Sequence, residues 1–271
     1  MNWLEAIILG LVQGLTEFLP VSSSGHLEIG KAVLGVETSE DLLFTTMVHA
    51  ATVLSTIVVF RKQIWNLLKG FFKFKYNEET DYLLKIAVSM IPVMVVGLFF
   101  KDYVESLFGS ILVVGYALIL TAVLLFFSDI VSAKKKTAES QVKDLEVRNG
   151  ITYWQAFVVG LGQALAVIPG LSRSGTTIST GLICGVRRDV MAQFSFLMVL
   201  VPILGESFLE IVGGEFSSTT VGALPLALGF VSAFLSGLFA CKVMIALVKK
   251  AKLRWFALYC LLAAACIFIF R

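Results

Sequence analysis

The fold class this sequence predicts is an all-α polytopic membrane protein, an inverted-topology repeat of six transmembrane helices plus two re-entrant helix–turn–helix pairs. Three observations predict it. The chain is 58% hydrophobic and 15% charged, where soluble domains carry about 25% charged residues. Apolar runs of about 20 residues, enough to cross a bilayer, recur along it. Near its middle the pattern starts again, with the same small and polar residues at the same spacing. The mean hydropathy of +0.89 agrees with the first observation. Together these exclude a water-soluble domain, and no nucleic-acid partner is expected.

Taken in order, Trp3–Leu19 is helical in character but interrupted by Gly10, Gly14 and Pro20, and Ser24–Leu34 follows as a short piece. Neither is a clean span. Met1–Leu19 has no basic leader and carries Glu5 and Glu17, so a cleavable signal is not expected. Leu42–Phe60 is long enough to cross. Arg61–Asp81 reads as a basic connector, Tyr82–Phe100 and Ser110–Val131 as two more spans, and Lys101–Gly109 as the link between them. Residues 132–150 are the most polar stretch. Repeat one is therefore 1–131, a basic cytoplasmic linker 132–150, and repeat two 151–271. The four cysteines lie in apolar segments with no C-x-x-C spacing and read as small hydrophobes.

A shift of 150 residues lays Ala6, Gly10, Leu11, Gln13, Leu15, Ser22, Ser24 and Gly25 on Ala156, Gly160, Leu161, Gln163, Leu165, Ser172, Ser174 and Gly175. Glutamine, serine and glycine in fixed register point to internal duplication. Basic residues favour cytoplasmic loops. They cluster at Arg61–Lys75, Lys134–Arg148, Arg187–Arg188 and Lys242–Arg254. Placing all four clusters inside gives three spans per repeat, with the later ones near 190–212, 222–245 and 255–271. An odd number inverts the second copy. The pieces at 3–34 and 154–186 must then dip in from opposite faces and return. Irregular backbone at membrane depth is tolerated only where protein or a wet cavity satisfies it, so the two tips should face each other.

The first tip is Glu17–His26, read EFLPVSSSGH. Gln13 and Glu17 are four apart and share a helical face. Pro20 ends the helix. Ser22, Ser23, Ser24 and Gly25 then open the next one, where free N–H groups and the helix dipole favour an anion. An ionisable residue inside a membrane is a functional candidate by default, which selects Glu17 and His26. His49 is expected to be a packing residue. The second tip is PGLSRSGTT, with Ser172, Arg173, Ser174, Gly175, Thr176 and Thr177. Arg173 stands where the first copy has Ser23. A guanidinium binds phosphate through a planar fork. One tip offers acid, hydroxyl and imidazole, and the other a fixed cation. That set suits phosphoryl transfer on a lipid phosphate or diphosphate.

QGLTEFLPVSSSGH and PGLSRSGTT resemble the two signature regions of the undecaprenyl-diphosphate phosphatase family of the bacitracin-resistance type. The likeness extends over essentially the whole chain, including FSFLMVLVPILG at 194–205. It implies six spans with two re-entrant pairs, and hydrolysis of undecaprenyl diphosphate to the monophosphate and inorganic phosphate. This recycles the lipid carrier for peptidoglycan in the bacterial inner membrane, with the site open to the outer face. It further implies Glu17, Ser23, His26 and Arg173 as catalytic residues. Substrate binding would fall to Gln13, Ser22, Ser24, Gly25, Ser172, Ser174, Gly175, Thr176 and Thr177. The family's divalent cation, Mg2+ or Ca2+, would have Glu17 as its evident ligand and bridge the diphosphate. Position 13 is Gln where many relatives carry Glu. Ser23 attacking phosphorus with His26 as base or acid, and Glu17 or His26 activating water, are both open at this level. A lipid-phosphate flippase is the rival from another class. The phosphatidic-acid-phosphatase type needs a K-x6-R-P run and an H-x3-D element, and neither occurs. The oligomeric state, a homodimer included, is not legible.

Overall fold

The computed structural model describes residues 1–36, 42–108, 110–138, 148–205, 221–250 and 252–270, and within them every regular element is helical. The helices are α1 (Trp3–Phe18), α2 (Ser23–Leu34), α3 (Leu42–Phe71), α4 (Glu78–Phe99), α5 (Lys101–Leu107), α6 (Ile111–Ala138), α7 (Tyr153–Leu165), α8 (Arg173–Ile183), α9 (Arg188–Met198), α10 (Ala223–Lys250) and α11 (Arg254–Phe270). Five stretches are long and apolar enough to cross a bilayer: Leu43–Phe71, Glu78–Phe99, Ile111–Ser132, Arg188–Gly205 and Ala223–Val248. The chain is thus a multi-pass membrane protein. The predicted sixth span, α11, is apolar but only 17 residues long. The hairpin helices α1, α2, α7 and α8 have 16, 12, 13 and 11 residues, each short of the ~20 a crossing needs.

The two hairpins begin alike. Asn2 caps α1 in a reciprocal box with Glu5, and Thr152 caps α7 in a box with Gln155, so backbone donors at both starts find side-chain partners. Both first helices then press against a long neighbour, α1 on α10 and α7 on α4. Inside a bilayer, lipid tails are as apolar as side chains, so helix contact depends on close packing and small residues. A Cβ on Gly10 would lie 2.4 Å from the Gly229 carbonyl oxygen, and one on Gly160 2.3 Å from that of Ser89. Backbone meets backbone at both crossings, and only glycine permits it.

Two ion pairs anchor the second hairpin and its neighbours. Asp81, 2% exposed, accepts from Lys85 Nζ at 2.6 Å, Tyr76 Oη at 2.8 Å, Tyr153 Oη at 2.9 Å and Asn149 Nδ2 at 2.8 Å. With four donors, the buried carboxylate is fully compensated, and it ties the start of α4 to the start of α7. Asp129 on α6 accepts from Arg188 at 2.6 Å and from the Leu253 amide at 3.3 Å, joining the starts of α9 and α11.

Several expected boundaries move. The connector predicted at Arg61–Asp81 is helix as far as Phe71, and α4 begins at Glu78 behind an Asn77 cap. Lysine and arginine stems lie along apolar surface while their charges reach water, so basic residues do not end a helix. Likewise α6 runs on to Ala138 where a linker was expected from 132; residues 139–147 lie outside the described residues. The 101–109 link contains the short helix α5. The span expected near 190–212 is helical from Arg188 but breaks at Val199. Pro202, lacking an N–H, cannot satisfy the Met198 carbonyl. Its continuation beyond Gly205 lies outside the described residues.

Candidate functional site

At the first tip α1 closes at Phe18, and the chain turns through Pro20 to Ser22, whose φ of 72° is unusual for a residue with a side chain. That turn reverses the chain and sets Ser23 beside the end of α1. Ser23 Oγ donates to Glu17 Oε2 at 2.5 Å, and Gln13 Nε2 donates to the same oxygen at 2.8 Å. Ser22 Oγ accepts from the Gly25 amide at 3.1 Å and caps α2.

The second tip turns at Gly170, φ +85°, where any Cβ would lie 2.5 Å from Val114 Cα. Ser172 caps α8 by accepting from the Gly175 amide at 3.1 Å, the same bond 150 residues on. Its own amide donates to Thr121 Oγ1 at 3.1 Å. Thr177 Oγ1 donates to the Arg173 carbonyl at 2.9 Å and lies 2.6 Å from Ser195 Oγ. Arg173 Nη1 and Thr176 Oγ1 are buried without a partner. An unmatched buried guanidinium nitrogen carries a substantial desolvation cost, which an anionic ligand would remove.

The tips touch. The Gly170 amide donates to Ser24 Oγ at 3.3 Å, and Ser174 Oγ donates to the Leu19 carbonyl at 3.1 Å. Beside this contact lies a narrow cleft, lined on one side by Glu17, Thr52 and Thr56 and on the other by Gln163, Arg173, Thr177 and Ser195. A carboxylate and a guanidinium therefore face the same space, with Phe18 and Phe196 providing its apolar wall.

His26 is oriented differently from the expectation that it serves Ser23 as base or acid. Its Nδ1 lies 2.7 Å from the Ser22 carbonyl and its Nε2 2.7 Å from Tyr259 Oη, and the ring stacks on Tyr259. A carbonyl only accepts, so Nδ1 carries the proton and Nε2 accepts from Tyr259. Both nitrogens are engaged, and neither His26 nor Ser23 lines the cleft, which Ser23 reaches only through its bond to Glu17. It holds the carbonyl of the positive-φ residue immediately before Ser23. His49, expected to be a packing residue, instead brings Nε2 to 3.9 Å from Glu17 Oε2. His49, Thr52 and Thr56 fall on one face of α3, a polar stripe at i, i+3, i+7 within an apolar span. That stripe was the available signal for them. Gln163 had one too, as the repeat counterpart of Gln13. Ser195 and Tyr259 had none.

A hard divalent cation bound here would find few oxygen ligands on the chain. Glu17 supplies a carboxylate, and Gln13 Oε1 is a buried oxygen acceptor with no partner. Among the described residues no group of three or more His, Cys, Asp and Glu forms a complete protein cage, so oxygens from outside the chain are needed.

A polytopic helical protein that sets a carboxylate–serine pair opposite a half-buried arginine fits the class of membrane-embedded phosphoryl-transfer proteins. The family model described as "Bacitracin resistance protein BacA" matches residues 6–266, and the chain belongs to that family. Among its curated relatives, the undecaprenyl-diphosphatase of Parabacteroides distasonis is 54% identical, over 97% of this chain and 96% of its own. That of Bacteroides thetaiotaomicron is 52% identical over 99% of both chains. The archaeal protein of the same name from Methanococcus vannielii is 38% identical over 96% of this chain and 97% of its own.

Proposed function

We propose that this chain hydrolyses undecaprenyl diphosphate to undecaprenyl phosphate and inorganic phosphate, the activity its full-length relatives are named for. The single observation that carries the reading is the cleft, where Glu17 and Arg173 face one space, with Ser23 behind its lining and hydrogen-bonded to Glu17. Arg173 holds the non-bridging oxygens of the terminal phosphate, helped by Thr177 and the open amides of α8. The Glu17 carboxylate takes the Ser23 proton as Ser23 Oγ attacks phosphorus. The bond to the bridging oxygen breaks and Glu17 gives its proton to the departing lipid monophosphate, which frees Glu17 to take a proton from the water of the next step and pass it to Ser23 Oγ. Water then cleaves phosphoserine and releases inorganic phosphate. A bound divalent cation, held by Glu17 and Gln13, would neutralise charge on the diphosphate oxygens. His26 acts by holding the Ser22 carbonyl and so the turn that presents Ser23.

The fold behind this reading is an inverted repeat with six spans, α11 included, and two re-entrant hairpins. The first hairpin enters from the outer face of the inner membrane, which opens the site to that face and makes recycling of the lipid carrier, and with it bacitracin resistance, the physiological outcome. The relatives' names lend no support to the flippase alternative. The test is phosphate release from undecaprenyl diphosphate by purified protein in detergent, where there is no membrane to cross. Release with a trappable phosphate on Ser23 is the expected result. Release unaffected by Ser23→Ala would move the attack to water, and no release at all would remove the phosphatase reading.

A further inference from the structure

We propose that His49 is a ligand of the divalent cation, binding through Nε2 beside Glu17. The orientation of the ring argues for it. His49 Nδ1 lies 2.8 Å from the Thr45 carbonyl. A carbonyl only accepts, so that nitrogen donates to the backbone, and Nε2 is the one turned toward Glu17, 3.9 Å from Oε2. An imidazole fixed by Nδ1–H to a backbone carbonyl, with Nε2 aimed at a carboxylate, is the arrangement by which proteins orient a metal-binding histidine.

Gln13 extends the set. Its Nε2 donates to Glu17, while its Oε1 is buried with no partner among the described residues. One carboxylate oxygen, one amide oxygen and one imidazole nitrogen would thus come from α1 and α3, and the remaining ligands from diphosphate and water. Replacing an oxygen donor by imidazole shifts preference from Ca2+ toward ions that accept nitrogen, such as Mn2+ or Zn2+. The assignment rests on the reading of Glu17 as the carboxylate of the phosphatase site.

The chain has two histidines, so the test is unambiguous. Full-length protein without a polyhistidine tag is loaded with Mn2+ in detergent, and electron spin-echo modulation reads the nuclei bound to the ion. Imidazole nitrogen coupling is expected in the unaltered protein and in His26→Gln. It should be absent in His49→Gln, with Mn2+ affinity lowered about tenfold to a hundredfold. Coupling that is missing from the unaltered protein, or that survives in His49→Gln, overturns the proposal. The spectrum of the unaltered protein decides even if a variant does not fold. Phosphate release is followed on the same sample. Turnover without imidazole coupling removes His49 as ligand and leaves the phosphatase reading, whereas coupling without turnover does the reverse.

Discussion

The turn between α1 and α2 and the turn between α7 and α8 lead into helices capped by the same serine-to-glycine-amide bond, 3.1 Å in both. The residues next to each cap differ. The first turn places a serine on a carboxylate, and the second places an arginine whose Nη1 has no partner. Two turns with the same cap carry opposite charge, and the contact between tips brings both to one cleft. Neither hairpin alone carries both charges. The division also sets each half-buried charge facing its complement across the cleft.

The largest effect should come from the cationic tip. Arg173→Ala is expected to lower kcat/KM by about 10³-fold, the scale of losing a preorganised donor to transition-state charge. Arg173→Lys should recover only part of this, since a point charge lacks the fork. Assays of both variants on the lipid substrate decide, and Arg173→Ala within about tenfold of the unaltered protein would erase the proposed division of labour. At the anionic tip, Glu17→Gln and Ser23→Ala should each cost about 10²- to 10³-fold, and the double variant little more, because the two act as one unit. Additive losses would separate them into independent roles.

The sequence showed the tips clearly because serine, arginine and glutamate stand out against an apolar background, and because the 150-residue register is kept by Gln, Ser and Gly together. Their contact was expected from the repeated pattern, and the two tips do touch. The partners missed are those whose signals are diffuse. His49 sits on α3 among alanine, threonine and valine, where its stripe is diluted by apolar neighbours. Tyr259 meets His26 across 233 positions, and nothing in the local pattern of either residue reports the other. Boundaries misled at Arg61 and Lys134, where charge was read as a loop, although a long aliphatic stem lets a basic side chain stay on a helix.

The glycine crossings extend the comparison to packing. Gly10→Ala and Gly160→Ala each drive a methyl into a carbonyl oxygen, at 2.4 and 2.3 Å. Each should cost about 1–3 kcal/mol. Thermal unfolding in detergent should show similar shifts for the two. A large asymmetry would mean that one hairpin is held mainly by its polar anchors, and the Asp81 network makes the second hairpin the candidate.

The smallest effect is expected at Tyr259. Tyr259→Phe keeps the ring stacked on His26 but removes the hydroxyl that donates to Nε2, a net loss of about 0.5–1.5 kcal/mol. His26 keeps its bond to the Ser22 carbonyl, so the turn before Ser23 should persist and turnover should fall by less than about tenfold. The contrasting outcome is informative. If His26 were the base, removing the donor would free the Nε2 lone pair, and the variant would change the pH profile of kcat rather than merely its height. His26→Gln separates the roles again, because its amide can still donate to the Ser22 carbonyl but cannot shuttle a proton. Retained turnover in His26→Gln makes His26 a positioning residue, and a loss of about 10²-fold or more returns it to the chemistry.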